Sequence, residues 1–129
     1  MAYWIRLALS VCALALLTLA LALGSPRPDE VRVVAQEPNG GQIALDSPIR
    51  VTFSRAVDQQ SAQQSFALVP VARGRFTWEN STLLFVPTQP LRPATLYRVT
   101  IRVGLRDSRG QPNRTTTSWS FRTVTTSVP

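Results

Sequence analysis

The chain has 129 residues, with 14 basic side chains against 7 acidic ones, 44% apolar residues, one cysteine and no histidine. Every basic residue is an arginine, and the cysteine, Cys12, lies in an apolar N-terminal run, so the rest of the chain offers no thiol, imidazole or lysine amine. Zinc sites built on Cys or His, thiol nucleophiles, histidine bases, lysine Schiff bases and intramolecular disulfides are thereby excluded.

The first element is the uncharged run of 17 residues from Leu7 to Leu23, preceded by Arg6 and followed by Gly24-Ser25-Pro26-Arg27-Pro28. A cleavable signal has an apolar core of about 7 to 15 residues and a small-x-small cut site, whereas a spanning helix needs about 17 to 25. Ala20-Leu21-Ala22 and Ala22-Leu23-Gly24 satisfy the cleavage rule, but the length of the run and the interfacial aromatics Tyr3 and Trp4 favour a retained helical anchor. Cys12 sits mid-run behind Val11, the wrong place for a lipoprotein. Arg6, the only charge before the run, favours a cytoplasmic N-terminus and an exported remainder. Residues 1–24 are thus read as a signal peptide or signal-anchor helix, 25–30 as a linker, 31–124 as one domain, and 125–129 as a tail.

Beyond Pro28 the chain alternates apolar and polar residues in short runs between Pro, Gly, Asn and Asp, the pattern of antiparallel strands with one wet face. A weak strand is expected over 31–35, then Pro38-Asn39-Gly40-Gly41 as a turn. Ile49-Arg50-Val51-Thr52-Phe53 is a clear half-buried strand, with Ile49, Val51 and Phe53 on the inner face. The polar stretch 54–65 suits a short helical turn. Strands follow at 66–69, at 75–79 with Phe76 and Trp78 inward, and at 82–86. Tyr97-Arg98-Val99-Thr100-Ile101-Arg102-Val103 is the second clear strand, with arginines and Thr100 outward, and Trp119 and Phe121 point inward from the last. About seven strands at this spacing predict a single antiparallel β-sandwich of immunoglobulin type. Tyr97 opens the sixth strand after Leu91-Arg92-Pro93, where such sandwiches place a tyrosine that bonds back to upstream backbone.

In order and spacing, several segments resemble a bacterial Ig-like domain of the kind found in S-layer and other surface proteins. They are Pro38-Asn39-Gly40, Ile49 to Ser54 with Val57-Asp58, Phe76-Thr77-Trp78, Leu83-x-Phe85-x-Pro87, Leu91-x-Pro93-x-Thr95-x-Tyr97-x-Val99, Gly104-Leu105-Arg106-Asp107 with Gly110, and Phe121-Arg122-Thr123. The resemblance runs from Val31 to Thr123 and departs in Gln111, where the family often has Asn, and in standing alone rather than in tandem. It implies a spacer, display or adhesion module with no active site and no cofactor.

Chemistry-bearing residues are few. A carboxylate pair such as Asp58 and Asp107 could in principle meet, and Asp107, Gly110 and Asn113 make an oxygen-rich loop, but turn formation accounts for them better than hydrolysis or calcium binding. Asn80-Ser81-Thr82 and Asn113-Arg114-Thr115 match the glycosylation triplet, in loops that want Asn for their backbone. Tyr97, Trp78, Trp119, Phe121 and Phe53 are read as structural core residues.

Charge carries the remaining signal: 13 arginines against 7 acids beyond the leader, a net +6. If the last two strands pair as a hairpin with Val99 opposite Phe121 and Ile101 opposite Trp119, then Arg98 faces Arg122 with Arg102 along the same face. Glu79 is the acid expected to relieve them. Arg98, Arg102 and Arg122 thus form a candidate patch for an envelope polyanion, a glycan, a wall polymer or an anionic lipid surface. The reading is a non-enzymatic, extracytoplasmic surface module, monomeric, attached to the membrane by its leader or secreted after cleavage near residues 22–24. Other surface proteins are possible partners, and nucleic acid is not expected.

Overall fold

The computed structural model describes residues 30–126, so the leader, its anchoring role and most of the linker lie outside the described residues. Within them no helix is long and apolar enough to cross a membrane.

Among the described residues the fold is all-β with one short helix. Its elements in chain order are β1 (Val33–Glu37), β2 (Gly40–Ile43), β3 (Ile49–Phe53), α1 (Gln59–Ser65), β4 (Phe66–Val69), β5 (Gly74–Glu79), β6 (Thr82–Pro87), β7 (Leu96–Ile101) and β8 (Thr117–Thr123). They build two four-stranded sheets, ordered β1-β3-β6-β5 and β2-β8-β7-β4.

The described residues hold eight strands where the alternation predicts about seven. The addition is β2, at Gly40-Gly41, which reads as a turn. Gly40 and Gln42 take the left-handed region, at φ 78° and 65°, and the strand pairs in parallel with β8 in an irregular register. The leading segment therefore serves both sheets, first as β1 against β3 and then as β2 against β8. Smaller shifts in bounds also occur: β1 starts at Val33, and β7 ends at Ile101, leaving Val103 exposed rather than inward.

Ile49, Val51 and Phe53 from β3, with Leu83 and Phe85 from β6, face Val99, Ile101, Trp119 and Phe121 from β7 and β8 across one core. One aromatic group joins the sheets. Phe66 of β4 stacks on Phe85 of β6 at 5.3 Å and meets Phe76 of β5 edge-on at 5.3 Å. Within the second sheet Tyr97 stacks on Phe121 at 5.4 Å. Such pairs add about 0.5–1.5 kcal/mol beyond the area they bury.

That stacking bears on the β7–β8 register. Tyr97 lies opposite Phe121, Val99 opposite Trp119, and Arg98 opposite Ser120, a slide of two residues from the expected pairing. A slide of two keeps every residue on its own face, so the pleat permits either pairing. The observed one brings the two rings together and removes a like-charge pair from directly opposite positions, which the expected one would have made.

Candidate functional site

Three places concentrate polar chemistry among the described residues. The first is the pole where α1 meets the long β7–β8 connection. Asp58 caps α1, its carboxylate accepting from the Ser61 backbone N–H at 2.9 Å. The Asp58 N–H in turn donates to the Arg106 carbonyl at 2.8 Å. Asp107 lies beside it with its side chain fully buried. One Asp107 oxygen accepts from the N–H groups of Arg109 and Gln111, both at 2.9 Å, and the other faces the Arg55 guanidinium at 3.6 Å. The two aspartates thus sit beside one shallow concavity with Gln59, Gln60 and Ser108, the Asp107 carboxylate buried beneath it, and each is committed to holding the loop. No cluster of three metal-ligating side chains exists among the described residues.

Asn113 is equally committed. It is buried, its side-chain oxygen accepts from the Gly104 N–H, and its amide nitrogen donates to the carbonyls of Arg102 and Thr115. A glycan on that nitrogen would take the place of one of these two N–H donors and would have to fit in a buried position. Asn80 fills the tight turn between β5 and β6 at φ 54°, a left-handed conformation asparagine tolerates well.

The second place is the corner before β7. The buried Tyr97 hydroxyl accepts from the Arg92 N–H at 2.8 Å. Thr123 completes the corner: its hydroxyl donates to the Arg92 carbonyl at 2.6 Å and accepts from the Thr95 N–H at 3.0 Å. Tyr97 reads from sequence alone; Thr123 does not, since its partners come from 28 and 31 residues away.

The third place is the outer face of the second sheet, where the arginine patch was expected. Arg98 sits between Val69 on β4 and Ser120 on β8, and Arg122 sits opposite Leu96. The two arginines are diagonal neighbours rather than a facing pair. Arg102 is drawn off toward α1, its guanidinium donating to the Gln64 carbonyl at 3.1 Å and its N–H to the Ser65 carbonyl. It neutralises the negative end of that helix. Glu79 does not serve this face at all, since it belongs to the other sheet and pairs with Arg50 at 3.3 Å.

Of the aromatic residues named from sequence, Phe53, Tyr97, Trp119 and Phe121 are buried, while Trp78 is half-buried and packs on Phe53 with ring centres 6.3 Å apart.

Residues 28–123 match the family model of the bacterial Ig-like domain, and the chain belongs to that family of non-catalytic domains. Among solved structures it is similar to an L,D-transpeptidase from Mycobacterium smegmatis, at 22% identity and a TM-score of 0.57 over 78% of this chain and 41% of that one. It is also similar to the L,D-transpeptidase LdtMt1, at 24% identity and a TM-score of 0.54 over 77% and 41% of the two chains. The N-terminal part of the bacterial S-layer protein SbsC is a third, at 20% identity and a TM-score of 0.50 over 74% and 24%. These likenesses are of fold. The chain spans about two fifths of the length of the two transpeptidases. No curated protein sequence matches it.

Proposed function

We propose that this chain is a non-enzymatic structural or adhesive module of the bacterial envelope, exported behind its apolar leader and held at the membrane by it. Membership of the bacterial Ig-like domain family carries the reading. The chemistry of the described residues agrees with it: Asp58 and Asp107, beside one concavity, act as a helix cap and a loop clamp. The uncharged run from Leu7 to Leu23 supports export and attachment. On this reading the domain works as a monomer, as a spacer or display platform for other surface proteins.

Fractionation of native cells followed by N-terminal sequencing tests it. The expected result is the chain in the envelope fraction with its N-terminal segment intact. A soluble form beginning at Leu23 or Ser25 would remove the anchor and leave export standing; an intact chain in the cytosol would remove both.

A further inference from the structure

We propose that the outer face of the second sheet, at the edge where Val69, Leu96, Arg98 and Arg122 meet, docks on an anionic lipid bilayer. The first observation is electrostatic. None of β2, β4, β7 and β8 contains an aspartate or glutamate. Arg98 and Arg122 are exposed on that face and have no ion-pair partner among the described residues. On the outer face of the other sheet Arg50 is paired with Glu79, and the one further arginine, the exposed Arg75 opposite Val86, stands beside strands that carry Glu37 and Glu79.

The second observation is apolar. Directly opposite each of these arginines in the ladder stands an exposed aliphatic side chain, Val69 beside Arg98 and Leu96 beside Arg122. Val69 is 62% and Leu96 55% exposed, and Val71, just beyond the end of β4, is 84% exposed. Two of the five exposed large aliphatic residues among the described residues, Val69 and Leu96, therefore stand together on this face.

A partner that fits must supply negative charge and apolar cover together. A hydrated polysaccharide or polyphosphate supplies charge alone. An anionic bilayer supplies phosphate oxygens for the guanidinium groups and an interfacial layer for Val69 and Leu96. The face suits a planar partner, because small side chains, Thr100, Ser118 and Ser120, occupy its middle. The inference goes beyond the surface-module reading and does not need it, since the test uses purified protein and fails or succeeds wherever the native chain resides.

The experiment reconstitutes the full chain, with Cys12→Ser, in vesicles of phosphatidylcholine alone or with 30 mol% phosphatidylglycerol. One environment-sensitive fluorophore is carried at Ser120→Cys or, on the opposite outer face, at Thr77→Cys. The label at 120 should report an apolar interface only in the anionic vesicles, and the label at 77 should not. Each arginine near an anionic surface is worth about a factor of five, so Arg98→Ser with Arg122→Ser should lower the docked-to-undocked ratio on the order of 30-fold. Leu96→Ser with Val69→Ser should also lower it, and 1 M salt should abolish it. These substitutions lie on a wet face, and the salt arm needs no substitution. Equal responses from the two labels, or a response at 120 that survives both salt and arginine removal, would overturn the proposal. So would soluble polyglutamate giving the same arginine-dependent response with no contribution from Leu96 or Val69, which would identify an acidic polymer or protein as the partner.

Discussion

The two sheets present the same kind of surface to the core and opposite kinds to the outside. Inward, each contributes alternate β-branched, aromatic and leucine side chains that are almost wholly buried. Outward, the first sheet satisfies most of its middle internally: Leu84 is buried between Arg50 and Thr77, Thr52 bonds Thr82 hydroxyl to hydroxyl at 3.0 Å, and Arg50 pairs with Glu79, while Arg75 opposite Val86 stays exposed. The second sheet leaves its arginines and aliphatics unmatched, with a Thr100–Ser118 hydroxyl pair as the side-chain link between β7 and β8 on that face. The inner face of a strand is dictated by burial, and the outer face is free to be satisfied internally or left for something else.

The inner faces should prove indivisible. Phe121→Ala in the second sheet should cost about 3–5 kcal/mol and Ile49→Ala in the first about 2–5 kcal/mol, since both side chains are essentially buried and each would leave a cavity in the shared core. Either loss is a large fraction of a small domain's stability. Thermal denaturation followed by far-ultraviolet circular dichroism and by tryptophan fluorescence should show one coincident transition for each variant, shifted downward. Separate transitions would mean that the sheets are independent units and that the comparison has been drawn between two domains.

The indivisible part is also the part legible in the sequence. Ile49, Val51 and Phe53 announce their face by strict alternation, as do Val99 and Ile101, because a pleated strand with one dry side admits little else. The slide between β7 and β8 is not legible, since two pairings differing by two residues satisfy the same alternation, and ring stacking between Tyr97 and Phe121 accompanies the one adopted. Strand β2 is hidden because Gly40 and Gly41 carry no side chain to pattern. Glu79 is near neither Arg98 nor Arg122 because sheet order, which joins β5 to β6 and β3, is a property of topology rather than of spacing. The Arg55–Asp107 contact likewise joins segments 52 positions apart in the numbering, and no local pattern marks it.

Intermediate effects should separate the sheets by backbone crowding and by corner chemistry. A Cβ on Gly74, at the start of β5, would lie 2.4 Å from the Phe85 ring and 2.7 Å from the Val86 carbonyl. Gly74→Ala should therefore cost about 1–3 kcal/mol as β5 shifts away. Gly41 in β2 has open space around the same position, so Gly41→Ala should be neutral or stabilise by up to about 1 kcal/mol. In the second sheet Tyr97→Phe keeps the stacked ring but leaves the Arg92 N–H without its acceptor, costing about 1–2 kcal/mol. Urea denaturation resolves all three. Equal costs at Gly74 and Gly41 would show that the first sheet is no more tightly closed than the second.

The smallest effects test the outer faces directly. Arg50 and Glu79 are 42% and 60% exposed, so their ion pair is largely screened and Arg50→Ala should lose no more than about 0.5 kcal/mol. Arg98→Ser removes a charge that has no ion-pair partner among the described residues and a diagonal like-charged neighbour in Arg122, so it should leave stability unchanged or raise it by a few tenths of a kcal/mol. The two substitutions should also differ in their response to salt. The small loss at Arg50 should vanish toward 1 M salt as the attraction is screened, and the small gain at Arg98 should vanish as the repulsion is. A double-mutant cycle between Arg50 and Glu79 measured by urea denaturation isolates the first, and the Arg98–Arg122 cycle isolates the second with opposite sign. If Arg98→Ser instead destabilises the domain as much as Gly74→Ala does, then Arg98 is held by contacts of its own, and the second sheet is as self-sufficient on its outer face as the first.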